Sequence, residues 1–221
     1  MNYTTSHELT AQLNALCATA ASFYSRGLAF GSTGNLSFRH GDEVWVSPTG
    51  RSLKDLQPEE IACVHLSDGR PLNGNQASKE TPFHLACYRA AGDRAQALVH
   101  LHSTYSVALS CLDNLQPDSP LPIFTPYYLM RVLPLAVVDY FRPGSAELAA
   151  AMGHAATAHD SILMRNHGAT ALGRSLEDAT DRLEELEETA KLYFLLRGEK
   201  LRLLTEDQKD DIVRVFKSKP R

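Results

Sequence analysis

The residues best suited to chemistry are histidines at strand spacing. His100 and His102 flank Leu101 at the end of an apolar run, Ala95–Leu101. A strand alternates its side chains with period 2, so both imidazoles would project to one face while Leu101 points to the other. Two neutral imidazole nitrogens side by side suit a divalent metal. The same pair would also serve as hydrogen-bonded surface residues, and His-x-His is too short a motif to choose. His167 is a third candidate. It follows the apolar run Ile162–Met164 in Arg165-Asn166-His167-Gly168, where Gly168 permits a sharp turn. His84 competes for the role, but its stretch has helical period and reads as a helix-packing residue or as support behind a site. Glu80, in Ser78-Lys79-Glu80, has two readings. A carboxylate at a helix start offsets the helix dipole, worth about 0.3–1 kcal/mol. Beside a metal it would be an acid/base, and spacing alone does not decide.

Two turn-rich segments, Gly31-Ser32-Thr33-Gly34-Asn35 and Ser47-Pro48-Thr49-Gly50, offer hydroxyls and free backbone N–H groups. Such nests bind phosphate, as does the start of a helix such as the one expected near Ser78. Neither segment matches the P-loop or the dinucleotide fingerprint, and each alone also reads as an ordinary turn. Three anion donors next to a metal constellation carry more weight than any one of them.

These residues need elements to hold them. The pattern predicts a helix over residues 5–26, with Thr5 and Glu8 at capping-box spacing and Leu9, Leu13, Leu16, Ala20 and Phe23 at helical period. Strands are expected at Leu36–Arg39, Val44–Val46 and Ile61–Leu66, between Gly, Pro and Asp punctuation. A second helix should run from Ser78 to Ala91, capped by Ser78, with Pro82 in its first turn and Gly92 as its stop. A buried strand at Ala95–Leu101 and a short helix from Thr104 to Asp113 come next. Val132–Val138 and Ile162–Met164 read as strands, with a helix over Ala146–Ala158 between them. Ser175 opens the strongest helix. Its stripe is Leu176, Ala179, Leu183, Leu186, Ala190 and Tyr193, with Glu187 paired to Lys191 and Gly198 at its end. The tail beyond, with Arg202, Lys209 and Lys217, reads as solvated, or else as packed on a neighbouring subunit. Strands and helices mix without strict βαβ alternation, which predicts a three-layer or α+β arrangement around a central sheet.

Composition sets the outer bounds. The chain has 221 residues, 43% hydrophobic and 22% charged, enough for a real core and a single domain over residues 1–221. Against 26 Asp and Glu stand 22 Lys and Arg, for a net charge of −4 without a basic block. That argues against nucleic acid as the main partner. Cys17, Cys63, Cys87 and Cys111 are too scattered for a disulfide framework or a thiolate zinc site, and Cys17 and Cys87 read as buried reduced thiols. Met1 to Thr10 has no apolar signal core, and no stretch approaches the roughly 18 apolar residues of a membrane span. The expectation is a soluble, cytoplasmic protein without a membrane partner.

As an ordered set, Gly34-Asn35-Leu36-Ser37, Ser47-Pro48-Thr49-Gly50, Ser78-Lys79-Glu80, His100-Leu101-His102 and Asn166-His167-Gly168 resemble the class II aldolase/adducin family of sugar-phosphate enzymes. The resemblance extends from about residue 5 to 195. It implies an α/β/α domain with a central, mainly antiparallel sheet, and a homotetramer. It implies zinc on His100, His102 and His167, with Glu80 as acid/base and as a fourth ligand when substrate is absent. It implies a phosphate cradle of Gly34, Asn35, Thr49, Gly50 and Ser78. Lys79 stands where fuculose-phosphate aldolase has a second serine, and would strengthen phosphate binding or meet an added carboxylate.

Further blocks resemble the branch that decarboxylates 3-oxo-tetronate 4-phosphates, phosphorylated four-carbon sugar acids. They are His100 to Ser106, Ala108 to Leu112, Phe124-Thr125-Pro126-Tyr127, Tyr140 to Gly144 and Glu184 to Lys191. Loss of carbon dioxide and retro-aldol cleavage then share one intermediate, the enediolate of dihydroxyacetone phosphate. Glu80, displaced from the metal, would protonate that carbon, with a pKa raised by partial desolvation. Lys79, Tyr127, Arg131 and Arg142 are candidates for the substrate carboxylate. A sugar-phosphate aldolase or epimerase is the rival enzyme, and a metal-free adducin-like module the rival of another class.

Overall fold

The computed structural model describes residues 7–116 and 120–217. Seven strands form one sheet: β1 (Asn35–His40), β2 (Glu43–Val46), β3 (Ala62–His65), β4 (Ala97–Leu101), β5 (Leu135–Val138), β6 (Ser161–Met164) and β7 (Gly168–Gly173). Their spatial order is β3-β2-β1-β4-β7-β6-β5. Every pairing is antiparallel except β5 with β6. The mainly antiparallel sheet expected from the family resemblance is therefore present.

Strand alternation decides which helices each face receives. Ala97, Val99 and Leu101 of β4 join a core that includes Leu9, Leu13, Leu16 and Phe23 of α1 (His7–Ser25) and Leu183 and Leu186 of α5 (Leu176–Leu195). Leu109 of the short helix α3 (Thr104–Ser110) packs in the same layer. Leu98 points the other way, with Leu172 of β7, into a core formed with Phe83 and Cys87 of α2 (Thr81–Ala91) and Leu148 and Met152 of α4 (Ala146–Ala156). The result is an α/β/α sandwich. His100 shares the face of Leu98, so the sheet's own period turns it toward α2.

Several local expectations are corrected. The helix expected from Ser78 begins at Thr81, with Glu80 at the cap position and no side-chain cap bond. Ser78 builds the turn ahead of it: its Oγ accepts from the Glu80 N–H at 3.2 Å and its carbonyl from the Thr81 N–H at 3.0 Å. Pro82 does fall in the first turn. The strand expected from Val132 starts only at Leu135, after a π-helical turn over Tyr128–Val132, because Pro134 has no N–H to give a ladder. The last strand, β7, has no counterpart among the expected elements because Gly168–Gly173 carries few β-formers, yet all six residues are buried in the sheet. Glu187 does not pair with Lys191, whose ammonium meets Glu188 instead. Glu187 is buried and accepts from Ser103 Oγ, the Tyr105 N–H, and both the N–H and Oγ of Ser106. The start of α3 lacks intrahelical acceptors for those donors, and the carboxylate supplies them.

Capping at Ser175 is as expected, with Oγ accepting from the Asp178 N–H at 3.1 Å. The Thr5–Glu8 box includes Thr5, outside the described residues. Cys87 is buried and Cys17 half-buried, both as free thiols. Beyond Gly198 the chain adds a helix that periodicity does not signal, α6 (Glu206–Ile212); most of this tail is exposed. No helix among the described residues is long and apolar enough to cross a membrane.

Candidate metal centre

Glu80, His100, His102 and His167 come together at one end of the sheet, one ligand atom from each lying within 4.8 Å of the others. Three elements deliver them. His100 is the penultimate residue of β4, and His102 follows its last. His167 ends the three-residue connection from β6 to β7, which Asn166 turns with φ 54°, a left-handed conformation that Asn tolerates. Glu80 enters from the start of α2. Gly168 makes the approach feasible: a Cβ there would lie 2.5 Å from the Leu101 carbonyl oxygen and 3.3 Å from the His102 ring.

The nitrogens converge. His100 Nε2 lies 2.9 Å from His102 Nε2 and 3.4 Å from Glu80 Oε2, and His167 Nε2 lies 3.1 Å from Glu80 Oε1. His100 Nδ1 donates to the Ala169 carbonyl at 2.9 Å, which leaves a lone pair on Nε2 facing the cluster. Glu80 Oε1 and His167 Nε2 are buried and complete no hydrogen bond in spite of their proximity. Buried acceptors aimed at a shared point without donors are costly unless a cation lies among them. Three imidazoles and one carboxylate are also a donor set that suits zinc and similar divalent ions. On both counts the residues fit a metal.

Burial shapes the charges. It pushes His100 well below the usual imidazole range and His102 below it, so both favour the neutral ligand form. Glu80 faces the cluster here, which is not the displaced state for which a raised pKa is expected. Burial does favour its neutral acid, but the facing His100 and His167 and the Asn35 N–H outweigh that and hold it well below the ordinary carboxylate range. The carboxylate is thus ionised while it faces the imidazoles.

Above the cluster opens a pocket of about 900 Å³. Glu80, His102 and His167 line it, as do Gly34, Asn35, Thr49, Gly50, Ser78 and Lys79, while His100 lies fully buried and does not line it. Gly34 has φ 80°, and a Cβ there would stand 3.0 Å from the His100 carbonyl oxygen, so this loop can approach β4 only as glycine. Tyr127 and Arg131 do not reach the pocket. They border a separate groove of about 590 Å³, where Arg131 pairs with Asp181. Arg142 is not among the lining residues, whereas Tyr140, Thr104 and Asn166 are. Sequence reasoning assigns those three no role. All three sit inside blocks that carry the family resemblance, which is the signal that could have found them.

A carboxylate and three histidines clustered at the base of a pocket, on a mainly antiparallel α/β/α sandwich, make a candidate metal-dependent active site. Comparison with known proteins agrees. Residues 14–194 match the family model for the Class II Aldolase and Adducin N-terminal domain, and the chain belongs to that family. A curated 3-oxo-tetronate 4-phosphate decarboxylase of Haemophilus influenzae is 46% identical over 203 residues, 91% of this chain and 96% of its own length. An L-fuculose phosphate aldolase of Methanococcus maripaludis is 38% identical over 79% of this chain and 92% of its own. Among solved structures, Klebsiella pneumoniae YgbL superposes with a TM-score of 0.88 at 40% identity, covering 92% of this chain and 98% of its own.

Proposed function

We propose that the chain is a metal-dependent carbon–carbon lyase that converts a 3-oxo-tetronate 4-phosphate to dihydroxyacetone phosphate and carbon dioxide. The observation that carries this reading is the convergence of His100, His102, His167 and the unpartnered Glu80 oxygen in the floor of the pocket that Thr49, Gly50 and Ser78 also line. The decarboxylase names of relatives such as that of Haemophilus influenzae support the substrate class. Zinc suits the donor set, held by the three imidazoles, with Glu80 as a fourth ligand when substrate is absent. When bound, the ion supplies positive charge near the oxygens on which negative charge develops.

The residues do the rest. The bond between the carboxylate carbon and C2 breaks, its electron pair forms a C2–C3 double bond, and the C3 oxygen takes the charge. A proton then adds to C2. Glu80 can carry that proton because two opposing influences set its charge. Facing the imidazoles it is ionised. Turned away from them toward substrate, it loses their influence, and burial, the largest single influence on it, favours the acid against the Asn35 bond. At the far end the phosphate meets the Gly34–Asn35 and Thr49–Gly50 turns and Ser78, with the Lys79 ammonium beside them. Binding there fixes C2 relative to Glu80 and converts remote binding energy into orientation. Asn35 serves both ends: Nδ2 carries two hydrogens, one of which Glu80 takes at 2.8 Å.

If this cradle holds phosphate, Thr49→Val should raise KM about tenfold or more with kcat little changed, in line with the roughly 1.5–3 kcal/mol of a hydrogen bond to a charged group. An unchanged KM in steady-state kinetics removes Thr49 from the cradle. The reaction itself is tested by offering the metal-loaded protein a 3-oxo-tetronate 4-phosphate and, separately, a ketose 1-phosphate. The first should be consumed faster and give no aldehyde; preference for the second makes the chain an aldolase. The same reading takes residues 1–221 as a single domain of a cytoplasmic homotetramer, whose mass light scattering measures; a monomer would contradict that part.

A further inference from the structure

We propose that His84 is a positioning residue for proton transfer: it orients the Asn35 amide so that an N–H, and not the carbonyl oxygen, meets Glu80. This rests on reading Glu80 as the proton carrier.

Two polar ladders face each other inside the α2 layer. Glu80, His84 and Tyr88 lie at i, i+4 and i+8 around α2, on one helical face. Asn35 and Ser37 lie at i and i+2 of β1, on one face of the sheet. The ladders interlock in sequence. Asn35 Nδ2 lies 2.8 Å from Glu80 Oε2, and Asn35 Oδ1 lies 2.5 Å from His84 Nε2. His84 Nδ1 lies 2.8 Å from Ser37 Oγ, which lies 2.7 Å from the Tyr88 hydroxyl. His84, Ser37 and Tyr88 are fully buried and Asn35 is 5% exposed, so water does not compete for these bonds.

The direction of every bond follows from one end. Asn35 presents its NH₂ to Glu80, with Nδ2 donating to Oε2 at 2.8 Å. Asn35 Oδ1 is then an acceptor, and His84 Nε2 must carry the hydrogen. Full burial keeps the His84 ring neutral, with its pKa pushed down to about 3. Its Nδ1 is therefore bare and accepts from Ser37, whose oxygen is left to accept from Tyr88. Reversal anywhere in the chain would put an amide oxygen against the Glu80 carboxylate.

Without the His84 donor nothing holds Asn35 in this orientation. Its amide can turn over, and Glu80 Oε2 loses a charge-assisted bond that sets where the carboxyl group points. The three histidines stand on β4 and on the β6–β7 connection rather than on α2, so metal binding does not depend on His84. Phosphate binding at the Thr49–Gly50 turn does not depend on it either. The signature is a loss that falls mainly on the proton step.

The test compares His84→Leu, which removes both bonds, with His84→Gln, whose terminal amide can still donate to Asn35 Oδ1, each as metal-loaded full-length chain. His84→Leu should lose about tenfold or more in kcat, the scale on which a misplaced reacting group is felt. It should lose as much in the exchange of solvent deuterium into the hydroxymethyl carbon of dihydroxyacetone phosphate, followed by proton NMR. Metal content should stay as in the parent, KM should rise far less than kcat falls because only the Asn35 share of phosphate binding is touched, and His84→Gln should recover most of both rates. A KM rise that matches the kcat loss, a loss of metal, or a His84→Gln as impaired as His84→Leu would overturn the proposal. Nitrogen-15 NMR of the unmutated protein is a second test, independent of folding and turnover: the His84 ring must be protonated at Nε2 and bare at Nδ1. The opposite tautomer overturns the proposal. A parent protein that neither decarboxylates nor exchanges deuterium overturns instead the reading of Glu80 on which it rests.

Discussion

Glu80→Gln should keep its metal and lose a factor of about 10²–10⁴ in turnover, the usual contribution of a placed general acid or base. Glutamine preserves the volume and can still accept from Asn35 Nδ2, so the relay behind it survives. It has no titrating proton to deliver. Three imidazoles would remain to hold the ion, and in the proposed mechanism Glu80 is the member of the cluster that turns to substrate. Metal analysis beside steady-state kinetics checks both halves. Turnover within a few fold of the parent, at equal metal content, would move the acid/base role to another residue, with Tyr140 and Lys79 the candidates that also line the pocket.

His102→Ala should do the reverse and lose the metal first. His102 lies just past β4, and its Nε2 is set 2.9 Å from that of His100. Removing only an outer partner of a ligand already costs about 10–100-fold in metal affinity, and removing an imidazole itself should cost more. Purified His102→Ala should therefore carry about a tenth or less of the parent's metal. The metal-free variant should melt only slightly below the metal-free parent, because a single imidazole–imidazole hydrogen bond is lost, worth about 0.5–1.5 kcal/mol. Parent-like metal content would withdraw His102 from the ligand set. A collapse in melting temperature would make the residue structural.

Both expectations begin from residues that the sequence already singles out. His100 and His102 are legible because strand period alone puts them on one face, and His167 because a glycine follows it at a turn. The layers are legible for the same reason: the stripes of α1 and α5 and the apolar run of β4 follow their periods. β7 is not, since its Gly and Ala residues gain their strand from neighbours on both sides and not from propensity. Ser78 looks like a cap in the sequence but is not one, because the carboxylate two residues on is drawn into the site and the helix starts after it. Glu187 looks like half of a surface pair, because spacing along α5 says nothing about donors waiting at the start of α3. His84 carries the subtlest signal. Glu80, His84 and Tyr88 form a polar i, i+4, i+8 series, but its meaning depends on Asn35 and Ser37, 45 or more positions earlier in the chain than the residues they meet.

The most direct measurement supplies the purified, zinc-loaded protein with 3-oxo-erythronate 4-phosphate. It counts two products together: dihydroxyacetone phosphate through a coupled reductase and NADH, and carbon dioxide. The two should appear in equal amounts, cease when EDTA strips the metal, and resume when zinc is restored. Metal-replete protein that releases neither, or that forms dihydroxyacetone phosphate just as fast after the metal is removed, would contradict the metal-assisted decarboxylation.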